Sequence, residues 1–495
     1  MKPRPIRRPI CRSAKRLMLV AAVLPLAVMY PRDSAGFEAE TTHAGLTEQA
    51  AAHSVLDQRL RTQFGYDHGL LQALIVPPKD AESLFAVLRR FNPTHGYVPD
   101  GRGRQSAVAW LVAGSAIADT GGANASHFSN HFFDPRTGRG LSADSLSGAD
   151  DELRARLLPR LAGTRVPTSG KPAPDWITDP ANPMGSSGFI DQYDKAVRSR
   201  TAGERSRHMA GALLAAGAML HVLQDMGSPS HARNDLAAHV ERIGNDPLDA
   251  GSRYERVAAL AYGRLGVPPP SAPIRAASLR AFFTQPEHGT GLADITARSW
   301  FSAGTLPHTI TLRGHVPSDQ LASMLGRSVR RPAPVPLPKL DLFGAARSPE
   351  TLVDAEGTCV ARYRLSQTKL RWSIDDRCVL DQLARQLPLI AGFSAGFLDH
   401  LFRGELGLFV RDDYVTVGIE AVTAGAGTLE LFWDDELGVR QSFHKAEVTG
   451  AAAGKALGKA PAPPAGARRV TALYRGVDAS GEALIATATQ ALAQP

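Results

Sequence analysis

The chain has 495 residues, enough for two or three domains, and its 43% hydrophobic content is ordinary for a globular protein, which excludes a wholly disordered chain. The net charge of +8 suggests a nucleic acid or a membrane surface as partner, but eight Lys and Arg residues and only one acidic residue lie within residues 1–36. The rest of the chain is therefore almost neutral, which argues against a stable complex with nucleic acid.

The first 36 residues have the layout of a secretory signal peptide. A basic segment ends at Arg16, an apolar run spans residues 17–30, and residues 34–36 are small. The apolar run is short for a bilayer-spanning helix, although an uncleaved membrane anchor is an alternative. No later segment has about 20 uninterrupted apolar residues. We therefore expect a secreted or periplasmic protein with no transmembrane segment in the mature chain.

Helical spacing of apolar residues predicts a mainly α-helical region after the leader. The predicted helices span residues 43–60, 80–91, 106–119, 207–223, 254–265, 278–283 and 379–402. The last of them should be broken or kinked at Pro388. Residues 121–148 and 160–183 are rich in loop-forming residues and predict long loops, and the Pro-rich residues 317–338 indicate a linker or an extended excursion.

Two cysteines remain after the leader. Cys359 and Cys378 flank residues 363–374, in which apolar and polar residues partly alternate. In an exported chain this arrangement predicts a disulfide across a small hairpin. Two free buried thiols are the alternative.

The pattern changes after residue 404. Runs of β-branched and aromatic residues predict strands at residues 414–419, 428–433, 470–474 and 483–488. Residues 449–466 form an Ala, Gly, Pro and Lys tract that indicates a flexible loop. The sequence therefore predicts a small β-rich domain over residues 405–495, which would dock on lipid, on a partner or on the helical region; we prefer the last.

Residues 221–231 place three possible metal ligands close together. His221 and Asp225 lie one turn apart on a predicted helix, and His231 follows the helix-breaking Pro229. Imidazole and carboxylate suit zinc, and iron or manganese would also accept them. A hydrogen-bonded pair at a helix end is the alternative.

Three further residues are candidate ligands. His43 opens the first predicted helix, and His131 lies among aromatic residues in the loop 121–148. Asp119 ends a helix, where a carboxylate is unfavourable against the helix dipole unless a positive charge compensates it. Taken singly, each would be explained as a surface or hydrogen-bonded residue.

Taken together, these segments resemble the zinc-dependent phospholipase C family and, more distantly, the single-strand-specific nucleases of the same superfamily. The matching segments are Thr42-His43-Ala44, Asp119, His131-Phe132-Phe133-Asp134-Pro135 and the stretch from His221 to His231. The resemblance is specific over residues 37–260 and weaker up to residue 405. It implies a mainly α fold, with a multi-helix phospholipase C-like catalytic domain over residues 37–404, between a signal peptide of residues 1–36 and the small C-terminal β domain.

The resemblance implies a site for two or three zinc ions. One zinc would be held by Asp119, His131, His221 and Asp225. Asp225 would bridge to a second zinc, completed by His43 and by backbone atoms of the mature N-terminal residue. We expect that residue to be Phe37, with Glu38 or an earlier residue as alternatives. By the same resemblance, Asp119 would act as the general base for the attacking water.

The third site departs from the family pattern. His231 and Glu255 match it, but Gly251 stands where the family has a histidine. His239 or Asp235 would replace that ligand, or water would fill its position. We therefore expect the third site to lose its metal first.

The implied activity is that of a phosphoric diester hydrolase. It would cleave glycerophospholipids such as phosphatidylcholine to diacylglycerol and a phosphorylated headgroup, with transient contact to a membrane surface. A zinc-dependent single-strand nuclease and a catalytically degenerate secreted binding protein are the alternatives. The near-neutral mature chain argues against the nuclease.

Overall fold

The computed structural model describes residues 39–75, 104–118, 128–142, 169–239, 252–265, 272–306, 310–311, 340–341, 351–366 and 369–492. All of them lie in one compact unit, Asp33–Pro495. The expected signal peptide, Phe37, Asp119, the predicted helix at 80–91 and the Pro-rich residues 317–338 lie outside the described residues. Among the described helices, none combines the length and the apolar character needed to cross a membrane.

The helices that the structure describes are α1 (Ala44–His53), α2 (Leu56–Thr62), α3 (Ala107–Ile117), α4 (Ala173–Trp176), α5 (Ser186–Arg198), α6 (Ala202–Asp225), α7 (Pro229–Ala232), α8 (Leu236–His239), α9 (Arg253–Leu265), α10 (Leu279–Phe283), α11 (Leu292–Ser299) and α12 (Asp376–Leu401). A π-helical turn, Ala39–His43, precedes α1, and 3-10 turns span Gly69–Leu71, Phe128–Asn130 and Ala303–Thr305.

Helix α6 lies at the centre of the helical region. Thr201 and Glu204 form a capping box at its start, which satisfies two backbone donors that the first turn leaves free. The helix is buried almost continuously from Met209 to Asp225, and α3 is buried in the same way. Helices that are apolar on every side belong in the interior of a protein rather than at its surface.

Two glycines let α3 and α6 approach closely. A Cβ on Gly217 would lie 2.0 Å from the carbonyl oxygen of Leu111, and a Cβ on Gly114 would lie 2.2 Å from that of Leu214. Neither contact is possible for a residue with a side chain, since the opposing atoms belong to the backbone. The crossing of the two helices therefore requires both glycines.

Several predicted helices are confirmed with different bounds. The helix predicted at 43–60 is two helices, α1 and α2, because the backbone N–H of Val55 donates to the carboxylate of Asp399 at 2.7 Å instead of continuing the helix. Helix α12 runs through Pro388 without a break. The sequence prediction missed α5 and α11, and it also missed the short helix α4 inside the predicted loop 160–183.

A five-stranded antiparallel sheet lies between the helical segments. Its order is β3 (Ile310–Thr311), β7 (Lys369–Ser373), β6 (Cys359–Ser366), β5 (Thr351–Asp354) and β4 (Leu340–Asp341). The predicted hairpin is the β6–β7 pair of this larger sheet. Cys359 and Cys378 form the predicted disulfide, with 5.1 Å between their Cα atoms, and it links the start of β6 to the first turn of α12.

The remaining described strands build one two-stranded sheet and a β-sandwich of two sheets. A two-stranded sheet joins β1 (Ala73–Ile75) and β2 (Arg104–Ser106). The sandwich strands are β8 (Leu406–Val410), β9 (Tyr414–Ile419), β10 (Ala424–Asp434), β11 (Arg440–Val448), β12 (Lys455–Pro461), β13 (Arg469–Asp478) and β14 (Ala483–Ala491). One sheet has the order β11-β10-β13-β14, and the other has the order β12-β9-β8.

The four predicted C-terminal strands are confirmed, but the predicted flexible loop at 449–466 is wrong. Strand β12 lies within it and pairs with β9. Composition alone did not reveal this strand, because its stability comes from the backbone partner and from two side chains, Leu457 and Ala460, buried in the sandwich core. β12 is at the edge of its sheet, where a proline such as Pro461 is tolerated.

Side chains on both faces of the four-stranded sheet pack into hydrophobic cores. Leu431 and Tyr474 lie in the core of the sandwich, whereas Phe432, Leu473 and Ile485 belong to the same hydrophobic core as the helices. Adjacent residues of a strand point to opposite faces, so one sheet can serve two cores. The C-terminal region therefore packs on the helices through a shared core.

Candidate metal centre

The first group of candidate ligands comes from segments that are far apart in the sequence. His43 is the last residue of the π-helical turn, and His131 follows the 3-10 turn Phe128–Asn130. His221 and Asp225 lie in the last turn of α6. All four side chains are at most 1% exposed. The fold thus gathers three imidazoles and a carboxylate in the interior.

The carboxylate of Asp225 lies between the three imidazoles. Its Oδ1 is 3.3 Å from Nε2 of His43. Its Oδ2 is 3.3 Å from Nε2 of His221 and 3.0 Å from Nδ1 of His131. The two oxygens therefore face different histidines, an arrangement that allows one carboxylate to bridge two cations.

Hydrogen bonds fix the orientation of two of these rings. Nδ1 of His221 lies 2.6 Å from the backbone oxygen of Ser115, which can only accept, so this nitrogen donates. Nδ1 of His43 lies 2.7 Å from Oε1 of Gln224 and donates to it. In a neutral imidazole the other nitrogen then carries a lone pair. A ring held through one nitrogen, with the other directed into the site, is the usual arrangement of a metal-binding histidine.

The second group consists of His231, His239 and Glu255. Oε1 of Glu255 is 3.5 Å from Nε2 of His231 and 3.4 Å from Nδ1 of His239. The same oxygen accepts hydrogen bonds from the hydroxyls of Ser228 and Ser230 at 2.9 and 3.2 Å. All three candidate ligands are buried. Each offers one atom that could bind a common cation.

A hydrogen bond connects the two groups. Nδ1 of His231 donates to the backbone oxygen of His131 at 2.8 Å. His131 therefore faces Asp225 with its ring and orients His231 with its backbone. The two candidate sites are neighbours within one centre.

Of the two side chains expected as alternatives for the missing ligand, His239 lies beside His231 and Glu255. Gly251 is outside the described part of the chain. Asn234 has a left-handed backbone with φ of 51°, and its amide donates to the carbonyls of Arg139 and Gly140. This turn between α7 and α8 brings His239 back toward His231. Asp235, the other candidate, accepts instead from the backbone N–H of Ala238 at 3.1 Å and of Gly304 at 2.8 Å, so it is a helix cap.

The electrostatic environment keeps both carboxylates ionised. Burial opposes the ionisation of Asp225, but electrostatic attraction to the His221 and His231 rings and hydrogen bonds from His131 and His221 outweigh it and hold the pKa of Asp225 well below its usual range. Burial also opposes the ionisation of Glu255, yet the charge of His239 and hydrogen bonds from the neighbouring imidazoles lower the pKa of Glu255. Two anionic ligands are therefore present at neutral pH.

Burial has the opposite effect on a histidine. It lowers the pKa of His43, and repulsion from His221 lowers that pKa further, which outweighs the hydrogen bond to Asp225. His43 is thus neutral at neutral pH, as a metal ligand must be. Neutral imidazoles with ionised carboxylates are the donor set that zinc accepts, so the residues present fit that metal.

The sequence prediction missed the residues that orient the ligands. Gln224 holds His43 and donates in turn to the hydroxyls of Thr47 and Ser394. The sequence did indicate a role for Gln224, since His221, Gln224 and Asp225 are the only polar side chains between residues 209 and 225. The backbone oxygen of Ser115 had no such signal, because its role depends on the crossing of α3 and α6.

Residues 392–396 read Gly-Phe-Ser-Ala-Gly, the pattern of a serine-hydrolase nucleophile elbow. They lie inside α12, and Ser394 is buried with its hydroxyl accepting from Gln224 at 3.4 Å. A nucleophile elbow requires a sharp strand-to-helix turn that exposes the serine. Ser394 therefore supports the metal centre and is not a nucleophile.

No family model matches the chain, and no curated protein matches it. Among solved structures, it is similar to the alpha toxin from Clostridium absonum, with 10% identity, a TM-score of 0.26, and coverage of 93% of this chain and 97% of that one. It is also similar to the alpha-toxin of Clostridium perfringens from avian strain SWCP, with 11% identity, a TM-score of 0.28, and coverage of 91% and 98%. TM-scores of this size carry no argument, so the functional interpretation depends on the geometry of the two ligand groups.

Proposed function

We propose that the protein is a secreted zinc-dependent phosphodiesterase of the phospholipase C type, which hydrolyses glycerophospholipids to diacylglycerol and a phosphorylated headgroup. The observation that carries this proposal is the convergence of His43, His131, His221 and Asp225 with a neighbouring group of His231, His239 and Glu255, all buried. Adjacent cation sites suit phosphodiester hydrolysis, in which negative charge develops on several oxygens.

Zinc ions, when bound, would activate water for attack at neutral pH and neutralise charge on the phosphoryl group. The chain's own contribution is to hold the ligands in place. Asp225 directs its two oxygens at different imidazoles. Ser115 and Gln224 fix the rings of His221 and His43. Rigid ligands in a dry interior would keep the cation sites at a constant separation while substrate binds.

Asp119 is proposed as the general base and as a further ligand. Support comes from Ser115, four residues earlier, whose carbonyl contacts His221, so that the chain passes the centre just before Asp119. We expect Asp119→Asn to lower kcat far more than the zinc content, because the amide cannot accept a proton. Metal analysis beside rate measurement separates the two roles, and a parallel loss of zinc and activity would make Asp119 a ligand only.

A mostly apolar cavity beside the second group favours a lipid substrate. It has a volume of about 240 Å³, and Ser230 and Ser252, which contact Glu255, line one side. Phe301 and Ile374 are among its apolar walls. We propose that it accepts part of an acyl chain, with the remainder of the lipid outside the protein and in transient contact with a membrane surface.

Export is proposed from the basic and apolar leader and from the disulfide. The bond between Cys359 and Cys378 belongs to an oxidising compartment. The proposed location is therefore secreted or periplasmic.

Incubation of the purified, zinc-loaded protein with phosphatidylcholine vesicles, phosphatidylethanolamine vesicles and single-stranded RNA tests the proposal. We expect diacylglycerol release from vesicles, its loss with a chelator, and its loss in Asp225→Asn. His208→Ala is the matched control, since His208 lies on the same helix and contacts Gln192 instead of the centre. Cleavage of RNA alone would support the nuclease alternative, and zinc loading without any turnover would support the binding protein.

A further inference from the structure

A small cavity lies where the four-stranded sheet meets the helices. Its volume is about 110 Å³, well below the range of roughly 300–1,000 Å³ typical of pockets for drug-sized ligands. Three arginines line it: Arg205 from α6, Arg440 from β11 and Arg469 from β13. The cavity is distinct from the metal centre, because none of its lining residues belongs to either ligand group.

Among the described residues, Asp434 is the carboxylate that pairs with two of these guanidinium groups, those of Arg440 and Arg205. Asp434 lies opposite both Arg440 and Arg469 on neighbouring strands. Arg440 occupies both of its oxygens, with Nε at 2.7 Å from Oδ1 and Nη2 at 2.9 Å from Oδ2. Arg205 is 3.9 Å from Oδ2. The lining therefore carries an excess of positive charge.

The guanidinium groups differ in what they contact. Arg205 donates to the backbone oxygens of Ser199, Arg200 and Gly438 at 3.0–3.1 Å. The guanidinium group of Arg469 makes no hydrogen bond or ion pair with any residue that the structure describes, and the backbone of Arg469 pairs within the sheet. Burial lowers the pKa of Arg205, and repulsion from Arg440 and Arg469 adds to this effect. Positive charges that repel one another across a cavity would be stabilised by an anion between them.

Hydroxyl groups supply further donors. Thr471 and Thr489 lie opposite each other on β13 and β14, and their hydroxyl oxygens are 3.2 Å apart. When one hydroxyl donates to the other, one O–H proton remains for another acceptor. Burial raises the pKa of Tyr66, which also lines the cavity, to about 12, so its hydroxyl keeps its proton. Arginines with hydroxyl donors form the usual environment of a phosphate or sulfate.

We propose that this cavity binds a small oxyanion of the phosphate or sulfate class, with Arg469 as its main cationic contact and the Thr471–Thr489 pair as hydroxyl donors. The bound anion would join side chains of the helices and of the sheet, and so would strengthen the docking of the C-terminal region on the helical region. The inference is independent of the catalytic proposal.

Thermal unfolding of the full, zinc-loaded chain in inorganic phosphate, compared with sodium chloride at equal ionic strength, tests the site. We expect a saturable rise in Tm of about 2 °C or more in the wild type. Arg469→Gln should remove most of that rise. Arg475→Gln should keep it, because Arg475 lies on the same face of β13 but 3.6 Å from Asp194, outside the cavity. Both variants keep the metal centre, so phosphate bound there contributes equally.

Thr471→Val is a second, nearly isosteric variant that keeps the inference testable if Arg469→Gln does not fold. It should raise the phosphate concentration that gives half of the rise in Tm several-fold. The same measurement is repeated with glycerol 3-phosphate. An equal rise in Tm supports a site that accepts phosphate monoesters, and a rise with inorganic phosphate alone supports a site for the free anion. A rise that does not saturate, or that is the same in wild type, Arg469→Gln and Thr471→Val, would overturn the inference.

Discussion

Asp225 is the residue on which the metal centre depends most. Its spacing to His221 predicted from sequence that the two side chains share a helix face, and the structure brings them to 3.3 Å. The approach of His43 and His131 to Asp225 was predicted only from the resemblance to a known family, since no local sequence pattern relates such distant segments. His239 was only one of several alternatives, because its place depends on the left-handed turn at Asn234.

Replacing His239 should affect the second group selectively. We expect His239→Ala to lose the metal of the second group while the first group keeps its own, because His231 and Glu255 alone would bind zinc weakly. Metal analysis during chelator titration measures this, with His208→Ala as the control. In the wild type we also expect the second group to lose metal first, because Gly251 stands where the resembled family has a ligand of this site. Simultaneous loss from both groups in wild type and variant would contradict this account.

The stability of the metal-free protein should decrease in mild acid. The pKa of buried His43 is lowered from its ordinary value of 6.5. Below pH 6.5 the unfolded chain binds a proton that the folded chain excludes. The free energy of unfolding therefore decreases as the pH decreases, by up to about 1.4 kcal/mol per pH unit for one group. Denaturant unfolding with chelator between neutral pH and pH 5 measures the slope. His43→Gln should reduce it, and the exposed His53→Gln should not; equal slopes would refute the assignment.

At the scale of elements, the close crossing of α3 and α6 positions the ligands. It places the carbonyl of Ser115 beside His221. Apolar periodicity predicted helices α3 and α6 but not the distance between them, because small residues permit a close approach without requiring it. Strand β12 shows the converse: its composition indicated a loop, and pairing with β9 made it a strand.

A methyl group at the crossing should separate the helices. Gly217→Ala would place Cβ 2.0 Å from a backbone oxygen, and we expect a loss of about 1–3 kcal/mol in unfolding free energy together with weaker zinc binding. Gly203→Ala on the same helix is the control, because its Cβ would meet only Ile75 at 3.9 Å and alanine is the better helix former. Denaturant unfolding distinguishes them; equal stability of the two variants would show that the crossing is not tight.

At the scale of the whole molecule, the C-terminal sheets are attached to the helices by a shared core and by buried charges. The sequence predicted the strands but left the docking partner open, because alternation shows that a strand has two faces and not what covers each. Arg440 pairs with Asp434 and also donates to the backbone oxygen of Val197 on α5 at 2.7 Å. Arg198 on α5 pairs with Glu430 on β10.

Removing Arg440 should weaken this attachment. Arg440→Ala leaves the buried carboxylate of Asp434 without its main partner, and we expect a loss of about 3 kcal/mol in unfolding free energy. The exposed Arg411→Ala should change stability by less than about 0.5 kcal/mol. Denaturant unfolding, followed by fluorescence, measures both. A similarly small effect of Arg440→Ala would mean that the ion pair does not hold the regions together.

The most direct test of the metal centre is anomalous X-ray diffraction at the zinc edge from crystals of the purified protein. The account predicts one or two peaks at the first group and one at the second, each about 2.0–2.3 Å from histidine nitrogens and carboxylate oxygens, including those of Asp225 and Glu255. Absence of any peak within bonding distance of these residues, in crystals grown with excess zinc, would contradict it.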